Sequence, residues 1–105
     1  MDPVDREILL EFAEHVRAVE PQAAVWAFGS RARGTAHPES DFDLCVVVPE
    51  LGEPLRRAIR DIAWEIGFER DRVLTTVVLS RHDFENGPMS ASTLVANIRR
   101  EGTAA

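Results

Sequence analysis

Apolar residues recur every three or four positions at Ile8, Leu9, Phe12, Val16 and Val19, and Asp2-Pro3 in front offers a capping carboxylate and a first-turn proline. This pattern predicts a helix over residues 3–19, stopped by Pro21. The period then changes. Ala23 to Phe28 is an apolar run of strand length, and Gly29-Ser30 turns it into a short helix whose leading N–H groups face outward. His37-Pro38-Glu39-Ser40 has the chemistry of a loop. Phe42 to Val48 predicts a second strand, alternating around the acidic residues and ended by Pro49. Pro54 opens another amphipathic helix with Leu55, Ile59, Ile62 and Ile66 on one face and Gly67 as the expected stop. Val73 to Ser80, rich in valine and threonine, predicts a third strand, and Asp83 to Pro88 an irregular or briefly helical stretch. Ser92 is placed to cap a last helix with Leu94, Val95 and Ile98 inward and Glu101-Gly102 at its end, before a frayed tail. Helices and strands thus interleave in an α/β (α+β) pattern, without repeats or linkers.

Composition narrows the picture. A chain of 105 residues, 45% of them hydrophobic, fits one compact domain over residues 1–105. Met1-Asp2-Pro3 is not a basic leader and no stretch approaches a bilayer span, so the expected location is cytoplasmic, with no membrane partner. The lone Cys45 cannot close an internal disulfide, and no Cys/His spacing resembles a zinc site. A net charge of −6 argues against nonspecific nucleic-acid binding, which depends on many basic contacts to phosphate. Every basic side chain is an arginine. Without lysine there is no Gly-rich phosphate loop of the kind that ends in Gly-Lys-Ser/Thr. Tyrosine is absent too, so any transfer onto a tyrosine needs another polypeptide.

The chemistry concentrates in Gly29-Ser30-Arg31-Ala32-Arg33-Gly34 and, after Thr35 to Ser40, in Asp41-Phe42-Asp43-Leu44. An extended chain turns alternate residues to one side at about 3.3 Å per residue, so the carboxylates of Asp41 and Asp43 are spaced to share divalent cations. Gly29 either merely makes a turn or permits close backbone approach to a phosphate, and Ser30 offers both an N–H and a hydroxyl to phosphate. Arg31 and Arg33 are candidate forks onto phosphate oxygens, alternating so that one points inward. Gly-Ser, ten residues, then Asp-x-Asp resembles the signature of the minimal nucleotidyltransferases of the DNA polymerase beta superfamily. The strand Val25-Trp26-Ala27-Phe28 ahead of it, and Ser40 and Leu44 around the acidic pair, extend the likeness.

That resemblance implies a nucleotidyltransferase fold, a small mixed sheet of about three strands backed by helices. It implies a transferase that moves NMP, from ATP or another NTP, to a hydroxyl acceptor. Asp41 and Asp43 would be its catalytic residues and the ligands of two Mg²⁺ ions, about 3.5 to 4 Å apart in such sites. It also implies a HEPN-type toxin as partner and acceptor in a toxin–antitoxin pair; small acceptors of the antibiotic type stay open. One departure stands out. Family members usually carry a third carboxylate on the strand matching Val73 to Val78, where this chain has Thr75 and Thr76, with Asp71 just before it. The alternative is therefore a catalytically deficient module of the same fold that binds nucleotide and a partner. His15, His37 and His82 are expected at the surface, His37 nearest the nucleotide. Cys45 is expected to be a small buried residue, and Trp26 and Trp64 are expected to be packing residues.

Overall fold

Asp2 starts the first helix as the sequence predicts, its carboxylate accepting from the N–H groups of Val4 (2.7 Å) and Asp5 (3.4 Å). Helix α1 (Pro3–Val19) turns Ile8, Leu9, Phe12, Ala13 and Val16 into the core and leaves Val19 exposed. The structure, a computed structural model, describes residues 1–37, 40–87 and 92–105. Pro38, Glu39 and Pro88, which belong to the two predicted loop stretches, lie outside the described residues.

Strand β1 (Ala24–Phe28) leads directly into the short helix α2 (Gly29–Arg33), and β2 (Phe42–Val48) returns antiparallel beside β1. Helix α3 (Glu53–Arg70) then crosses over to β3 (Leu74–Ser80), which runs parallel to β2. Helices α4 (Arg81–Glu85) and α5 (Thr93–Glu101) follow, capped by the hydroxyls of Ser80 and Ser92. The sheet order is β3-β2-β1-β4, a mixed sheet backed by helices as expected, with four strands rather than three.

The extra strand is the predicted frayed tail. Thr103–Ala104 forms β4 against Trp26 and Ala27 of β1, Ala105 N–H donates to the Val25 carbonyl (3.0 Å), and Arg17 Nη2 donates to the Ala105 carbonyl (3.2 Å). Gly67 corrects a second expectation. Helix α3 continues past it to Arg70, and Asp71 takes the left-handed cap at φ 54°. Gly67 serves close approach instead: a Cβ there would lie 2.6 Å from the Arg72 carbonyl oxygen, where the chain folds back and Arg72 N–H donates to the Gly67 carbonyl (2.9 Å).

The central position of β2 explains its apolar composition, since it packs on both faces. Phe42, Leu44, Val46 and Val48 join α1 and α3 in one cluster. Cys45 and Val47 join Phe84, Val95 and Ile98 of α4 and α5 in the other. Trp26 packs on this second side, stacked 5.5 Å from Phe84, whose other neighbour is the Arg99 guanidinium at 4.4 Å. Trp64 departs from the packing role expected of it. It is 68% exposed on α3, stacked 5.5 Å from the still more exposed Phe68.

Candidate active site

The antiparallel register sets Phe28 opposite Asp43, so the bend that follows Phe28 meets the acidic strand side by side. Gly29 sits at φ +73°, a left-handed backbone in which a side chain is strained. A Cβ there would also approach Asp43 Oδ2 to 2.5 Å. Only a glycine lets the bend and this carboxylate share the space. Helix α2 opens at the bend with no side chain capping it, which leaves its leading N–H groups to other acceptors.

Asp43 is half-buried and Asp41, two residues earlier, is exposed. Phe42 between them already belongs to the parallel ladder, its N–H donating to the Val73 carbonyl (2.8 Å). Asp41 and Asp43 therefore point to the side of the sheet covered further along by α4 and α5. On the neighbouring strand Thr75 lies opposite Asp43, and its hydroxyl donates to Asp43 Oδ1 at 2.6 Å. Thr76 belongs to the other side. Asp71 is held in the helix cap, and no group of three carboxylate, histidine or cysteine side chains able to hold a metal occurs among the described residues. The position where the resemblance expects a third acid is thus filled by a neutral donor.

The two arginines part company. They are two residues apart, about 200° around a helix, so they face opposite ways. Arg31 is buried: Nη1 lies 3.3 Å from Asp5 Oδ2 and Nη2 donates to the Ser40 carbonyl at 3.0 Å. Its guanidinium is engaged by Asp5 and by the Ser40 carbonyl, while the phosphate contact expected of it stays an expectation. Arg33 stays at the surface, paired with Glu101 of α5 at 3.1 Å. Asp5 and Arg72 complete the group under the loop, Arg72 Nη1 lying 3.0 Å from Asp5 Oδ1. Neither was marked by motif. The available signal was a carboxylate three residues before Ile8 and seven before Phe12, on the apolar face of α1, where a buried charge demands a cation.

His15, His37 and His82 are exposed, and His37 N–H donates to Ser40 Oγ (2.9 Å) beside the acidic pair. A cavity of about 480 Å³ lined by Ser40, Trp64, Phe68, Asp71 and Arg72 lies against α3, behind the sheet from Asp43. Cys45 shares the side of Asp43 but is fully buried, and desolvation pushes its thiol up to about 12. The thiolate is suppressed in the fold, so stability present below pH 9 is lost as pH rises toward 12. Iodoacetamide is expected to label native Cys45 at pH 8 at least about 100-fold more slowly than the urea-unfolded chain. Equal rates would contradict the burial.

The sequence profile of the nucleotidyltransferase domain matches residues 6–98. No curated protein matches the chain at a significant level. Among solved structures, a toxin–antitoxin complex with AMP-PNP is similar at TM-score 0.63 and 22% identity, over 90% of this chain and 69% of that one. The complex of the tri-AMPylated Shewanella oneidensis HEPN toxin with its MNT antitoxin gives 0.59 and 17%, over 95% and 70%. A nucleotidyltransferase described as putative, from Sulfolobus solfataricus, gives 0.56 and 18%, over 99% and 87%. At these identities the structures establish a common fold. With the profile running from the first helix into the last, this chain belongs to the nucleotidyltransferase domain family.

Proposed function

We propose that the protein is a Mg²⁺-dependent nucleotidyltransferase that takes NMP from a nucleoside triphosphate, ATP first, and joins its α-phosphate to a hydroxyl oxygen of a HEPN-type partner, releasing pyrophosphate and the hydroxyl proton, as the antitoxin of a toxin–antitoxin pair. The observation that carries this reading is the contact of Gly29 with Asp43, which sets an uncapped bend against the acidic pair. The nature of the similar solved complexes, one with AMP-PNP and one with a tri-AMPylated HEPN toxin, favours the same substrate and partner.

The donor set suits the ion. Carboxylate oxygens are the hard ligands Mg²⁺ prefers, and Asp41 is exposed enough to keep room for water and phosphate oxygens. Asp41 and Asp43 would hold the metal, which when bound neutralises triphosphate charge and activates the acceptor hydroxyl. Around it, the Gly29-Ser30 backbone and the Ser30 hydroxyl receive phosphate oxygens. Arg33 exchanges its exposed Glu101 partner for phosphate, which a guanidinium forks onto readily. Thr75 fixes the Asp43 carboxylate by its hydroxyl, so that one oxygen is committed and the orientation of the other is set.

A second reading draws on Thr75 itself. A neutral hydroxyl in place of a third carboxylate neither balances metal charge nor acts as a general base, which favours a binding module without turnover. Labelled ATP, Mg²⁺ and a purified HEPN-type protein separate the two. The transferase is expected to label that protein, and to stop in EDTA and in the Asp41→Asn/Asp43→Asn variant. No label with magnesium-assisted ATP uptake intact supports the module, and the absence of both removes the proposal.

A further inference from the structure

Asp5 is 3% exposed on α1, and both of its oxygens are taken by arginines from other parts of the chain. Arg31 comes from α2 and also donates to the carbonyl of Ser40, the residue before Asp41. Arg72 comes from the turn before β3, one residue ahead of Val73, whose carbonyl accepts from Phe42 N–H (2.8 Å). One buried carboxylate thereby ties together the leading ends of β2 and β3, the strands that carry Asp41, Asp43 and Thr75. Burying such a cluster costs desolvation that its attractions roughly offset, whereas removing one partner leaves an uncompensated buried charge.

We infer that Asp5 is a positioning residue for the acidic pair, acting through Arg31 and Arg72 from the opposite side of the sheet. This rests on the nucleotidyl-transfer reading for its use, and on geometry alone for its existence. The carboxylates of Asp41 and Asp43 sit at the open end of β2, where strand ends fray unless something holds them. Arg31 holds the Ser40 carbonyl on one strand, Arg72 holds the turn leading into the other, and Asp5 fixes the distance between the two guanidinium groups. Groups bonded directly to metal ligands are worth about 10- to 100-fold in metal affinity; this network acts one step further out, through the backbone beside the acidic pair, so the lower end of that range is expected.

The test compares Asp5→Asn, which keeps the shape and removes the charge, with Arg70→Ala, which cuts the α1–α3 ion pairs to Glu7 and Glu11 and leaves the network alone. Both are measured well below their own Tm, by amide hydrogen exchange and by calorimetry of ATP binding with Mg²⁺. Asp5→Asn is expected to exchange about tenfold faster at residues 40–43 and 73–75 than elsewhere in the sheet, and to bind Mg²⁺ and ATP about tenfold more weakly. Arg70→Ala should match wild type in both. If Asp5→Asn does not fold, Arg31→Lys, which keeps the charge but cannot span Asp5 and Ser40 together, is expected to give the same local acceleration. Unchanged exchange at residues 40–43, or acceleration spread evenly over the sheet, overturns the inference. A wild-type protein that binds no Mg²⁺ and ATP defeats the transferase reading instead, while exchange still decides the positioning role.

Discussion

Asp43→Asn is expected to lower nucleotidyl transfer by about a thousandfold or more while leaving the fold intact. The substitution keeps the side-chain shape and an oxygen able to accept from the Thr75 hydroxyl, so the contact between β2 and β3 survives. What it removes is one of the two negative charges that would balance the metal, and no third carboxylate stands among the described residues to take over. Losing about 4 kcal/mol of transition-state stabilisation is the equivalent of that rate change, within the several kcal/mol that a bound metal supplies to charge neutralisation. The check is a rate of label transfer to the proposed HEPN-type acceptor beside a melting curve. A variant that melts like wild type and retains a tenth of its rate would show that Asp43 does not hold the ion.

Gly29→Ala is expected to damage stability and site together, in a way that depends on Asp43. The left-handed backbone at φ +73° costs any side chain about 1–2 kcal/mol, and the new methyl must displace the carboxylate oxygen 2.5 Å away, adding about 1–3 kcal/mol of overpacking. Only the second part needs Asp43. In an Asp43→Ala background the clash is gone and the cost of Gly29→Ala should fall to the backbone share. Urea unfolding of the two single variants and the double variant reads this as a coupling of about 1–3 kcal/mol. Strict additivity would mean that the bend and the acid do not touch.

Much of this molecule is legible residue by residue, where a local pattern decides the outcome. The cap at Asp2, the apolar face of α1 and the buried β2 follow from spacing and chemistry within one turn or strand. Gly29, Ser30, Asp41 and Asp43 stand out because a fixed separation in sequence mirrors a contact across two paired strands. The rest depends on neighbours that apolar spacing and motif alone do not show. Thr103–Ala104 has no periodicity of its own and is a strand only because β1 has an edge to fill. Gly67 looked like a helix stop, yet the carbonyl of Arg72 requires it and Asp71 makes the stop. Trp64 falls outside the buried face set by Ile59, Ala63 and Ile66, so the packing role expected of it is not realised. Arg31 and Arg33 are alike in sequence. Their division into a buried support and a surface charge depends on a carboxylate 26 residues away from Arg31.

The parallel pairing of β2 with β3 has a kinetic consequence. Strands β1 and β2 meet across a short separation, but Thr75 reaches Asp43 over 32 residues and only after α3 has crossed over. Closing that longer loop costs more chain entropy before any of its contacts form, so this half of the sheet is expected to assemble after the β1–β2 pair. A chain still emerging during synthesis carries the glycine bend and both aspartates before Thr75 and Arg72 can hold them. On the proposed reading, nucleotide binding then waits for the finished sheet.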